Sequence, residues 1–130
     1  MDEKKETTLT DKHFDFFKER VLHYLKKFKL DGYWQVKIVQ IKKHDKCLGG
    51  YCSSEFWNGW AEIGLITENY PKTKDNLLDD IDETARHEVC HLIGAKVCSL
   101  ARNRYVQTRE LEDADEELCR KICDLLSEQK

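Results

Sequence analysis

The sequence predicts an α+β domain in which helices pack on one face of a small sheet, and three observations predict it. Apolar residues recur at helical spacing in the first and last parts of the chain. They alternate at a spacing of two in between. No repeat or low-complexity linker divides the 130 residues. That length makes one domain, and 40% hydrophobic residues can build one modest core. Residues 1–9 are polar and are expected as a disordered lead, with a single domain over residues 10–130.

Thr10 or Asp11 is placed to cap a first helix running to Lys29, on which Phe14, Phe17, Val21, Leu25 and Phe28 form one stripe. His13 and His23 fall on its surface or boundary. Leu30-Asp31-Gly32 ends the helix, Gly32 being suited to a left-handed exit. Residues 33–42 then read as a strand, with Trp34, Val36 and Ile38 alternating with Tyr33, Gln35 and Lys37. Residues 50–57 and 60–67 flank Asn58-Gly59, a hairpin signal because a type I′ turn needs two residues with positive φ. The three strands are expected as an antiparallel meander with Ala61, Ile63 and Leu65 towards the core. Trp34, Trp57 and Trp60 are expected as hydrophobic anchors. A loop over 68–74 holds Pro71. Residues 77–100 lack proline and carry one glycine, so they read as a helix. A break over 101–107 precedes a last helix over 108–127, with Leu111, Ala114, Leu118, Ile122 and Leu125 as its apolar stripe.

Composition excludes several classes of function. Charged residues make up 36% of the chain but nearly balance, with a net charge of −3. Binding nucleic acid through phosphate attraction asks for a basic surplus, so no nucleic-acid partner is expected. No apolar run approaches the ~20 residues that span a bilayer, so no membrane partner is expected either. The opening Met1-Asp2-Glu3-Lys4-Lys5-Glu6 has no apolar signal region, and the expected address is cytoplasmic. In that compartment the six cysteines, Cys47, Cys52, Cys90, Cys98, Cys119 and Cys123, read as free thiols, chiefly small buried residues. No second pair of standard spacing accompanies Cys47 and Cys52, which argues against a structural zinc there.

The chemistry is concentrated in His87-Glu88-Val89-Cys90-His91, an H-E-x-x-H pattern inside the second predicted helix. On a helix, residues four apart lie one above the other, so both imidazoles can bind one Zn²⁺ at ~2.0–2.1 Å. Glu88 is rotated by about 100° from His87, which sets its carboxylate beside the metal as a base, not a ligand. Two neutral donors, a base and an open coordination position are the working parts of a zinc hydrolase.

A catalytic zinc normally takes three protein ligands. His91-Leu92-Ile93-Gly94 begins the longer metzincin pattern, but Val97 stands where its last histidine belongs and no methionine follows Met1. No histidine follows His91, so a third ligand beyond it must be a carboxylate or a cysteine. The last helix carries Glu110, Glu112, Asp113, Asp115, Glu116 and Glu117. At 100° per residue, Glu116 and Glu112 border the cysteine edge of the apolar arc, while Asp113 and Glu117 point further away. Asp115 falls within the arc, where a short acid needs a partner. A ligand emerges from the edge of a buried face, which favours Glu116, then Glu112.

This arrangement resembles the gluzincin-type metallopeptidases, in which a glutamate from the helix after the H-E-x-x-H helix completes the site. The layout is also similar to small phage-type metallopeptidases, through Ala85-Arg86-His87-Glu88-Val89-Cys90-His91-Leu92, Arg104-Tyr105 and the acidic helix with Glu116. The resemblance covers residues 10–127 in order and rough spacing, with the motif its one specific part. It implies a minimal zincin-like fold and His87, His91 and Glu116 as ligands, with Glu117 one register step away. The function expected from these residues is that of a zinc-dependent peptidase with Glu88 as general base on a zinc-bound water and a peptide or protein as substrate. The alternative is a non-catalytic metal-binding or partner-binding module. In zincins the substrate lies along a sheet edge beside the motif helix, and residues 60–67 are the expected edge. No oxyanion donor is evident; Arg104 and Tyr105 read as packing or surface residues.

Overall fold

The computed structural model describes residues 7–102 and 108–128. In chain order the elements are α1 (Asp11–Lys27), β1 (Gln35–Ile41), β2 (Gly50–Glu55), a short 3₁₀ turn (Phe56–Asn58), β3 (Trp60–Ile66), α2 (Leu77–Ile93), α3 (Ala95–Arg102) and α4 (Thr108–Glu128). The α+β class therefore holds, with a three-stranded sheet of mixed direction.

Local chemistry explains the helix ends. Thr10 is extended at the start of α1, and its backbone N–H donates to Nδ1 of His13, 2.9 Å away. The left-handed exit falls at Lys29 (φ 57), not at Gly32, and the Leu30 N–H reaches back to the Leu25 carbonyl at 2.8 Å. The Asn76 side chain caps α2 by accepting from the Leu78 N–H at 3.0 Å. The helix expected over 77–100 is broken at Gly94, and α3 restarts from it. Residues 1–6 of the expected lead, Arg104 and Tyr105 lie outside the described residues. Thr7 bridges to Tyr70 and Leu9 is 5% exposed in the core, so ordered packing already begins inside the predicted lead.

The strand order is β1-β3-β2, which corrects the meander. β2 and β3 form the expected antiparallel hairpin, Gly50 opposite Leu65 and Glu55 opposite Trp60. β1 instead lies on the far side of β3 and runs parallel to it, Gln35 opposite Trp60 and Ile41 opposite Ile66. The physical reason is burial. Ala61, Ile63, Leu65 and Ile66 are at most 1% exposed on the two faces of β3, as suits a central strand, whereas β1 carries exposed Gln35, Lys37 and Gln40 as suits an edge. The expected substrate edge over residues 60–67 is thus the middle of the sheet, and β2 is the edge beside α2. The hairpin turn also differs from a type I′ turn. Only Gly59 is left-handed (φ 67), and an added Cβ there would meet the Tyr33 carbonyl oxygen at 2.7 Å.

The core joins Phe17, Val21 and Leu25 of α1, Ala61, Ile63 and Leu65 of β3, and Ile81, Ala85, Val89 and Leu92 of α2. Each such side chain apart from the two alanines contributes about 1.5–3 kcal/mol by leaving water. Of the three tryptophans Trp34 alone is an anchor; Trp57 is 68% exposed and Trp60 36%. Arg20 and Tyr24 of α1 both donate to the Asp82 carboxylate, at 2.6 and 2.9 Å, which fixes α1 against α2. No described helix is long and apolar enough to cross a membrane.

α4 packs on α2 through a face rolled away from its predicted stripe. Cys119 and Cys123 are buried, while Leu118 is 45% and Leu125 63% exposed. A small cluster of Cys90, Cys119 and Cys123, backed by Phe28 and Ile122, seals that interface. None of the six cysteines is in a disulfide; Cys90, Cys119 and Cys123 are buried and Cys47, Cys52 and Cys98 are half-buried. The roll turns the acids beside the cysteines over the imidazoles of α2.

Candidate metal centre

His87 and His91 stand one turn apart on α2, their rings edge to face with centroids 4.8 Å apart. Their Nε2 atoms are 3.3 Å apart. Glu116 of α4 reaches both, Oε2 lying 3.2 Å from His87 Nε2 and Oε1 3.1 Å from His91 Nε2. A tetrahedral centre bonded at ~2.0–2.1 Å has edges of roughly 3.3–3.4 Å, so the 3.3 Å between the two Nε2 atoms matches one such edge, and each carboxylate oxygen of Glu116 closes on a different imidazole.

The donor chemistry also fits a cation. Asp115 Oδ2 lies 2.9 Å from His91 Nδ1, which holds the proton there and leaves Nε2 as a lone pair. The Cys123 thiol lies beside His87. Two imidazole nitrogens and a carboxylate then converge, an arrangement that repels itself unless a proton or a metal ion sits between. The His87 imidazole reflects this. Its pKa is raised to about 9 by the Cys123 hydrogen bond, with burial opposing and the Glu88 and Glu116 charges adding.

The structure brings together the predicted His87, His91 and Glu116. Glu117 turns away to pair with Lys121 at 2.8 Å. Glu112 lines the same cleft but stands outside the three-donor group. Asp115, which needed a partner inside the apolar arc, finds it in His91. A second group of His91, Asp115 and Cys119 has the Cys119 sulfur 3.2 Å from His91 Nδ1. Its role here is to surround the ring nitrogen that faces away from Glu116.

Glu88 sits at the meeting point of two clefts, one of about 320 Å³ bordered by Arg86, Arg120 and Cys123, the other of about 770 Å³ bordered by β2, His91 and Glu116. Its residue is 7% exposed, yet no described residue hydrogen-bonds to its carboxylate. Burial raises its pKa to about 7, with the two imidazoles pulling it down and Glu116 adding to the rise. Asp80, five per cent exposed on the same helix, shows the contrast: it accepts from Thr73 N, Thr73 Oγ1 and Lys74 N at 2.7–3.1 Å. A buried acid that serves structure is satisfied in that way; Glu88 is not.

Gly50 allows the clefts to form where they do. A Cβ at this position would meet Thr84 Cγ2 at 2.8 Å and Glu88 Cγ at 3.3 Å, so the edge strand passes against α2 only without a side chain. The sequence placed Gly50 at the start of a strand and gave no sign of this close approach.

Comparisons of the chain with family models, with curated proteins and with solved structures find no match.

Proposed function

We propose that this chain is a zinc-dependent hydrolase, a peptidase, with His87, His91 and Glu116 as ligands and Glu88 as general base. One observation carries the reading: two imidazoles and a carboxylate converge within reach of one ion, beside the Glu88 carboxylate, which borders the cleft and has no hydrogen-bond partner among the described residues. Histidine nitrogen with carboxylate oxygen is a donor set that suits zinc. Zinc held there supplies Lewis-acid polarisation of a carbonyl and eases deprotonation of a coordinated water.

The chain's own groups do the rest. Asp115 fixes the tautomer of His91. Glu88 takes a proton from the attacking water and hands it to the departing amine, a transfer favoured by a carboxyl poised near 7. An extended peptide fits along β2, which pairs with β3 on one side only, so strand addition offers it backbone partners. Gly50, Cys52 and Ser54 of β2 border the cleft that also contains His87, Glu88 and Glu116.

A metal that merely tied α2 to α4 has no use for Glu88, so Glu88→Gln separates the hydrolase from a non-catalytic module. Wild type and variant are loaded with zinc and incubated with a diverse peptide library. Equal zinc content with cleavage reduced by roughly 10²–10⁴-fold supports the proposal. Zinc-loaded wild type that cleaves nothing overturns the hydrolase reading, and loss of zinc by Glu88→Gln overturns the division of roles.

A further inference from the structure

Cys90 and Cys123 face each other across the α2–α4 interface with their sulfurs 2.8 Å apart. Both side chains are buried, but their positions differ. Cys90 lies within the motif on the inward face of α2 and is fully enclosed. Cys123 is 6% exposed, lies beside His87 and borders the cleft shared with Glu88 and Arg120, through which a small solute can approach. A disulfide bond measures roughly 2.05 Å, so closing it asks for a movement of under an ångström between the two sulfurs.

From these positions we infer that Cys90 and Cys123 form an oxidative modification site, a dithiol that a hydroperoxide converts to a disulfide and that thereby weakens the metal centre. The effect on the metal rests on the zinc reading; the disulfide does not. The Cys123 sulfur attacks one oxygen of hydrogen peroxide, the O–O bond breaks, and the thiol proton leaves with the other oxygen as water. The Cys90 sulfur then attacks Cys123 Sγ, the S–O bond of the sulfenic acid breaks, and its hydroxyl leaves with the Cys90 proton as a second water. Each sulfur loses one electron and each peroxide oxygen gains one. The bond draws the Cys123 sulfur towards α2 and leaves His87 without its thiol partner. Loss of a group that orients a metal-binding histidine lowers affinity roughly ten- to a hundredfold. A dithiol reductant reverses the change.

The test treats the reduced, zinc-free full chain with hydrogen peroxide, alkylates the remaining thiols and maps peptides by mass. Zinc affinity is then measured before oxidation, after it, and after reduction. The expected results are a Cys90–Cys123 cross-linked peptide and a roughly ten- to hundredfold weaker zinc affinity that dithiothreitol restores. In Cys90→Ala, or Cys90→Ser if the first does not fold, the cross-link is absent and dimedone traps a sulfenic acid on Cys123. Absence of the cross-link in wild type overturns the site. A cross-link with unchanged zinc affinity overturns its coupling to the metal. If the reduced chain takes up no zinc, the zinc reading and the coupling fall together, and the mass of the cross-linked peptide still decides the disulfide.

Discussion

Asp115 holds His91 by the nitrogen that faces away from the converging donors: Oδ2 lies 2.9 Å from Nδ1, while Glu116, the next residue, approaches Nε2 of the same ring at 3.1 Å. Consecutive acids of α4 therefore grip opposite ends of one imidazole. Asp115→Asn keeps the shape but loses the charge that makes the ring a better donor. Its zinc affinity should fall by roughly 10–100-fold with the fold intact, read by competition titration against a chelator and by circular dichroism. Unchanged affinity would remove Asp115 from the site.

Glu88 gives the metal-free protein a defined pH dependence. Its folded pKa is about 7 against an ordinary 4.5, so between these values the folded state binds more protons than the unfolded state. Stability is then full below the lower value and falls as pH rises through the upper one. Glu88→Gln removes this penalty. Its stability advantage over wild type, metal-free, should widen by about 2–3 kcal/mol between pH ~5 and ~8 in urea unfolding. An advantage that shrinks with rising pH would show that Glu88 is not buried as a strained acid.

Gly50 is expected to tolerate no side chain. The added methyl of Gly50→Ala meets Thr84 Cγ2 at 2.8 Å and must push β2 away from α2. Overpacking of this kind costs roughly 1–3 kcal/mol. Zinc affinity should fall less than peptide cleavage, because β2 borders the cleft without contributing a metal donor. A variant as stable and as active as wild type would contradict the close approach.

The parts of this fold set by local periodicity were legible in the sequence. The stripe of α1, the inward residues Ala61, Ile63 and Leu65, and the motif helix up to Gly94 follow from spacing alone. The place of β1 was not, because parallel pairing with β3 is a nonlocal contact that alternation cannot specify. The two-faced burial of β3 was the available clue. That an acid of the last helix stands near the two imidazoles was legible from the edge of its buried face, and Glu116 is the acid that approaches both rings. The roll of α4 was hidden, since leucines outweigh cysteines in any apolar count, yet Cys119 and Cys123 are the residues that fill the interface. Gly94 ended a helix that composition alone let run on, and the contact between Cys123 and His87 links residues far apart in the chain, which no local pattern reports.

The central claim is that two histidines of α2 and one glutamate of α4 bind a single zinc ion, and the most direct test is zinc content by elemental analysis. Wild type and Glu117→Ala, whose side chain pairs with Lys121 away from the donors, should each retain one zinc per chain after dialysis, and His87→Ala, His91→Ala and Glu116→Ala should lose it. Wild type without zinc, or Glu116→Ala with its zinc intact and tightly held, would contradict the account.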